Sequence, residues 1–298
     1  VECHYSKLKE VCMSSEPLIL GAVCYSAKVV DIWEGFKTFF YENGLRFDYV
    51  LYSNYEILVE ALFKGEVDVA WNSPLAWIRA ERMAKSKGVS VKSLAMRDSD
   101  CDLTSVIITL KQSGISELKS LANKKVGVGA VDSPQATLIP LEIMKWQGLE
   151  IGKNLEVIYH NVLSGKHGDH VGGEEDAVKD LVSGKVDAAC MISSNLTSFI
   201  NSGIISGQDV QVLVETPYFD HCNFTVVDGH RSEEMNRFKE LLLGMSYEDP
   251  KIRPLLDMEG LKKWQVGRAS QYDILESAVD SFSFYDGDGN ILRDDYIY

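Results

Sequence analysis

The chain has 298 residues, 45% of them hydrophobic and 25% charged, and a formal net charge of −14. This is the composition of an ordinary globular protein with core enough for two lobes of about 100–150 residues each. The negative field repels nucleic acid and anionic membrane surfaces alike, and no run approaches the ~20 apolar residues of a membrane span, which argues against both partners.

Residues 1–16 are mixed and polar and read as an N-terminal arm; the sequence as given opens at Val1 without a signal-peptide pattern. LILGAVCY (18–25) reads as a first strand. Residues 29–43 read as an amphipathic helix with Val29, Val30, Ile32, Trp33, Phe36, Phe39 and Phe40 on the core side, closed by Gly44. A strand over 47–52, a helix over 55–64, a strand over 67–71, a helix over 75–86 and a strand over 89–96 follow. Tyr25, Asn54, Tyr55, Asn72 and Ser73 fall at the C-terminal ends of these strands, where open α/β sheets bind ligands, so they are candidate contacts. An ordinary helix-initiating turn explains Asn72–Ser73–Pro74 equally well.

A repeat organises the chain. Aligning Gly65 with Gly184 places Val59 on Val178, Leu62 on Leu181, Val67 on Val186, Asp68 on Asp187 and Ala70 on Ala189. Each copy is a helix, a glycine stop and a buried strand, too far apart for a solenoid, and two lobes of like architecture explain them best. Ser193 and Asn195 follow the second copy as Asn72 follows the first, and join the candidates.

Between the copies, 104–110 reads as a strand crossing between lobes. Val126, Val128 and Ala130–Val131 make a buried strand, and Asp132–Ser133–Pro134 opens a helix with Ser133 as N-cap and Pro134 at its first position. Pro140 bends that helix early and Gly148 closes it. Strand, tight turn and outward-facing helix N–H groups make a seat for a small anion from Asp132, Ser133, Gln135 and Thr137, or a plain βα connection. Strands over 210–217 and 222–229 lead back. Helices over 231–246, 250–264 and 270–282 are expected on lobe one, and the tail reads as a turn between short strands; Ile291, where a calcium loop needs glycine, argues against an EF-hand.

Two polar segments stand out. Residues 165–176 carry His167, Asp169, His170 and Glu174, and 217–225 carry Asp220, His221 and Cys222. Three readings stay open: a hydrogen-bonding cage for a small zwitterion or oxyanion, a divalent metal held by His167, His170, Asp220 and His221, or structural capping of loops. The six cysteines form no Cys-x-x-Cys, which excludes a zinc ribbon; Cys3 and Cys12 suit a disulfide in an exported protein, and Cys24, Cys101 and Cys190 read as buried thiols.

NYEILVEALFKGEVDVAWNSPLAWIRA, the Ser-Gly-Ile-x-x-Leu-x-x-Leu run at 113–121, KKVGVGAVDSPQATLIP and SGKVDAA together resemble the phosphonate/phosphite/phosphate-binding family of periplasmic binding proteins, over residues 17–245. The resemblance implies an α/β, two-lobed type 2 fold, each lobe a mixed sheet flanked by helices and joined by two hinge strands. Its expected division is 17–107 with 222–298 as lobe one and 108–221 as lobe two. It implies a solute-binding protein for a phosphonate-, phosphate- or sulfonate-like or zwitterionic ligand, working outside the cytoplasm with an ABC permease or a membrane sensor, and no cofactor. The head group is expected on the turn at Ser133, with Thr104 and Ser105 in the crossing strand, His167 or His170 ahead of the next helix, and the histidine loop across the cleft. The turn departs from the family's run of hydroxyls, keeping only Ser133 and Thr137, and Leu103 stands where a tyrosine is frequent. The alternative is an enzyme on the same scaffold, with His167 or His170 and Asp169 or Glu174 as an acid–base pair and Cys24 or Cys222 as nucleophile.

Overall fold

The computed structural model describes residues 16–168 and 172–297. The chain begins β1 (Leu18–Val23), α1 (Lys28–Glu42), β2 (Phe47–Tyr52), α2 (Tyr55–Lys64), β3 (Val69–Asn72), α3 (Pro74–Ser86), β4 (Val91–Ser93) and β5 (Ala95–Arg97). It continues with β6 (Ser105–Leu110), β7 (Lys124–Val128), α4 (Ile139–Trp146), β8 (Leu155–Tyr159), α5 (Glu174–Val182), β9 (Ala188–Ile192), α6 (Ser193–Asn201) and β10 (Val210–Glu215). The return half is β11 (Asn223–Val227), α7 (Ser232–Leu243), α8 (Arg253–Glu259), β12 (Trp264–Val266) and α9 (Asp273–Ser281).

Two five-stranded mixed sheets carry the molecule, ordered β2-β1-β3-β11-β4 and β8-β7-β9-β6-β10. The first three strands of each run parallel and the last two pairings are antiparallel, so only the fourth strand of each sheet is reversed and the sheets share one topology. β3 and β9 occupy the same place in that order, and the sequence repeat is thereby a repeat of structure. Its aspartates have a common task. Asp68 accepts the Ile19 N–H through its side chain while its own N–H donates to the Ile19 carbonyl. Asp187 does the same with Lys125, so each carboxylate completes the ladder at the start of the central strand. Gly65 and Gly184, at φ +73° and +76°, end the preceding helices in the left-handed conformation.

The passage between sheets runs elsewhere than expected. β6 sits inside the second sheet, and the two connections meet before it, where Leu103 and Phe219 exchange both backbone hydrogen bonds. α7 and α8 cover the first sheet through an aromatic core of Phe36, Phe40, Phe224, Phe238 and Trp264. α9 departs from the expected place on lobe one alone: it packs on both α3 and α4. Beyond it Phe284, Tyr285 and Tyr296 are buried in one cluster with Leu138, Leu141 and Met144, so the C-terminal segment ties the two sheets together.

Candidate functional site

Each sheet presents a helix N-terminus with a serine cap. In the first, Ser73 Oγ accepts the Ala76 N–H at 3.1 Å, Pro74 occupies the first helical position, and Asn54 caps α2 by accepting the Ile57 N–H at 2.9 Å. In the second, Ser133 Oγ accepts the Ala136 N–H at 3.3 Å. Residues 134–138 form a wide turn in which the Leu138 N–H reaches back five residues to the Ser133 carbonyl. Pro140 cannot donate to Ala136, and that freed carbonyl takes the Gly129 N–H instead; the bend expected at Pro140 is this widened turn. The Gln135 carbonyl accepts Ser105 Oγ at 2.6 Å, fixing the turn on β6.

The histidine loop lies on that turn, and so does not stand across the cleft from it as expected. Buried Asp132 accepts the backbone N–H groups of Gly165 and His167 at 2.9 and 2.8 Å, and Gln135 Nε2 donates to the Gly168 carbonyl at 2.9 Å. Gly168, at φ +62°, touches Ser133 so closely that a Cβ there would sit 2.4 Å from the serine Cβ. Gly168→Ala should therefore cost about 1–3 kcal/mol for the backbone conformation alone, and more for the contact. Faster amide exchange at Gly165 and His167 would register the loosened loop, and unchanged exchange would refute this account.

From this loop His167 reaches the other sheet. Its Nδ1 lies 2.5 Å from Ser73 Oγ, its Nε2 donates to Glu56 Oε1 at 2.9 Å, and its ring stacks on Tyr55 at 4.7 Å. The same Glu56 oxygen accepts the hydroxyls of Tyr285 and Tyr296, both at 2.9 Å. Burial pushes the Glu56 carboxyl up, but the charge and hydrogen bond of His167 outweigh it and hold it at about 2. Glu56, Tyr285 and Tyr296 were not among the sequence candidates.

A second polar group lies where the connections cross. Arg97 grips Asp100 with two hydrogen bonds, 2.5 and 2.9 Å, and also bonds Glu259. Its guanidinium sits 5.2 Å from the centre of the Trp71 ring. His221 Nε2 lies 3.3 Å from Gln135 Oε1, and its Nδ1 3.1 Å from Cys222 Sγ. Arg97, Cys222, Tyr25, Tyr55 and Trp71 line a cavity of about 20 Å³, room for one water.

The remaining candidates divide. Buried Glu174 accepts from the Ile192 N–H and from Asn195 Nδ2; its other oxygen has no protein partner, and burial pushes the carboxyl up to about 8. Thr137 Oγ1, Asn72 Oδ1 and one Asp132 oxygen are likewise buried without a hydrogen-bond partner, and burial raises Asp132 to about 6. Asn72 otherwise bonds Thr225 inside the first sheet. Thr104 bonds Ser193 and Glu215 at the rim. Among the described residues, His167, Asp220 and His221 of the expected metal set do not converge on one point. His167 bonds Ser73 and Glu56, Asp220 bonds both arms of Arg268, and His221 lies elsewhere, beside Cys222 and Gln135. His170 and Asp169 lie outside the described residues, as do Cys3 and Cys12. Of the thiols expected to be buried only Cys190 is, while Cys24 just past β1 and Cys101 in the connection between β5 and β6 are half-buried, and Cys222 is buried as well.

Residues 25–272 match the family described as the ABC transporter, phosphonate, periplasmic substrate-binding protein. The chain belongs to this family. Similar solved structures include PhnD1 of Prochlorococcus marinus in complex with methylphosphonate, at 17% identity and a TM-score of 0.64, covering 89% of this chain and 98% of that one. XAC2383 of Xanthomonas citri, bound to ATP, is 14% identical with a TM-score of 0.66, over 90% and 98% of the chains. The aliphatic sulphonate binding protein SsuA of Escherichia coli is 16% identical with a TM-score of 0.52, over 90% and 84%. These likenesses establish the two-lobed type 2 binding-protein fold. This phosphonate-family member is a solute-binding protein of a periplasmic class, and among its described residues no helix is long and apolar enough to cross a membrane.

Proposed function

We propose that this binding protein closes on a small oxyanion or zwitterion of the phosphonate, phosphate or sulfonate class and delivers it to an ABC permease. The lobes in this reading divide where the connections meet at Leu103 and Phe219, a few residues before the expected boundaries of 17–107 with 222–298 and 108–221, because β6 from Ser105 pairs within the second sheet. The observation that carries it is Arg97: a half-buried guanidinium on the wall of a cavity that also meets Tyr55, the ring on which His167 stacks. The cavity holds only a water, and the His167 imidazole fills the gap between Ser73 and Glu56. A ligand of several heavy atoms enters when His167 withdraws, exposing the hydroxyls of Ser73 and Tyr55 and the Arg97 charge. The reading needs no cofactor.

A thermal-shift panel of alkylphosphonates, phosphite, phosphate, alkanesulfonates and zwitterions tests it. A bound solute at about 100 times its Kd stabilises the fold by about 2.7 kcal/mol, which raises the melting temperature. A panel with no riser at large excess ends the reading. Glu174 adds a pH signature. Its raised carboxyl is neutral below about 8, so affinity for an anion should fall as pH rises through 8, and Glu174→Gln should abolish that fall. Equal affinity of the native protein at pH 7 and pH 9 would remove Glu174 from the site.

A further inference from the structure

Asp100, His221 and Cys222 each bring one donor atom into a single cluster: a carboxylate oxygen, Nδ1 and Sγ all lie within 4.8 Å of one another, and all three residues are buried. We propose that these three residues form a zinc site on the wall of the cavity. The donor set of one thiolate, one imidazole and one carboxylate is the mixture Zn²⁺ takes. Tetrahedral zinc with ordinary bond lengths sets neighbouring donors about 3.3–3.6 Å apart. Nδ1 here lies 3.1 Å from Cys222 Sγ and 3.6 Å from Asp100 Oδ1, so a small adjustment seats the ion.

The surroundings suit it. Gln135 Oε1, 3.3 Å from His221 Nε2, accepts the proton there and leaves the Nδ1 lone pair for a metal. Arg97 holds both oxygens of Asp100 and orients the carboxylate, as the outer shell of a metal site does. One guanidinium faces two carboxylates, Asp100 and Glu259, so the buried group is already negative. A divalent ion with the Cys222 thiolate brings it to neutrality. Cys222 lines the cavity, whose one-water volume supplies the fourth position. This is neither the four-residue set considered from the sequence nor the seat at Ser133.

The test uses the full chain, metal-stripped and reduced, with Zn²⁺ and Co²⁺ as the probes. Cys3→Ser/Cys12→Ser is the background throughout, which removes the N-terminal thiols as competitors. One equivalent of Zn²⁺ should bind, and Co²⁺ should give the absorption of a tetrahedral thiolate complex. Cys222→Ser should abolish the thiolate band and weaken Zn²⁺ at least about 10-fold, and Gln135→Leu should weaken it about 10–100-fold through the lost acceptor at Nε2. Stoichiometric binding unchanged in Cys222→Ser overturns the proposal. So does a parent protein that shows no thiolate band with Co²⁺, a result that stands even if the serine variant fails to fold.

Discussion

Removing the Glu56 carboxylate should be among the most damaging single changes in this protein. Glu56→Ala leaves the His167 imidazole and two tyrosine hydroxyls, all buried, without their shared acceptor. Breaking one partner of a buried charged pair costs about 3–5 kcal/mol, and urea unfolding of the variant should show a loss of that size. The subtler test is Glu56→Gln, which keeps the shape. In the native fold the carboxyl sits at about 2 against an ordinary value of 4.5. A folded-state pKa below the unfolded one gives stability that is whole above about 4.5 and is lost as pH falls toward 2. Glu56→Gln should therefore show a flatter stability profile than the native protein across that window. Asp100, raised by burial but drawn down to about 2 by Arg97 and His221, keeps its own acid dependence in both proteins. Parallel profiles would mean that Glu56 is not the acceptor joining the two sheets and the C-terminal tail.

What the sequence disclosed, and what it withheld, follows from the range of the interactions. Strand 47–52 and helix 55–64 were legible to the residue because periodicity and an Asn cap are local. The repeat was legible because Asp68 and Asp187 each perform the same backbone pairing at the same place in two sheets. The lock at Glu56 was not. A glutamate in the first turn of a helix is commonplace, and its partners are 111, 229 and 240 residues away in the chain. His167 was picked out as a polar loop residue, yet nothing local says that Asp132 captures its amide and folds the loop onto Ser133. That single contact turns a seat with open N–H groups into a covered one. Arg97 and Asp100 were not among the candidates, since two opposite charges three residues apart carry no signal until Glu259 and Trp71 close around them. β8 and α6 escaped notice, the first a short half-buried edge, the second a polar helix that buries only Phe199.

Arg97 should be the second costly position, and it separates folding from binding. Arg97→Met keeps most of the length of the side chain but leaves Asp100 and Glu259, both buried, without the guanidinium that neutralises them. A loss of about 3–5 kcal/mol is expected from one abandoned partner alone. Arg97→Lys restores a charge without the two-pronged grip, because an ammonium cannot bond both oxygens in the plane of the carboxylate. It should recover part of the stability and little of the geometry. Arg97→Met/Asp100→Asn removes a charge of each sign, so it should be more stable than Arg97→Met by more than independent effects allow, which a double-mutant cycle measures. Binding of a small oxyanion behaves differently. The cavity wall has lost its cation in the double variant just as in the single one, so affinity should stay low, at least about 10-fold below native by the loss of one charge-assisted hydrogen bond. A double variant that regains stability and also binds phosphonate at native strength would place the anion somewhere other than beside Arg97.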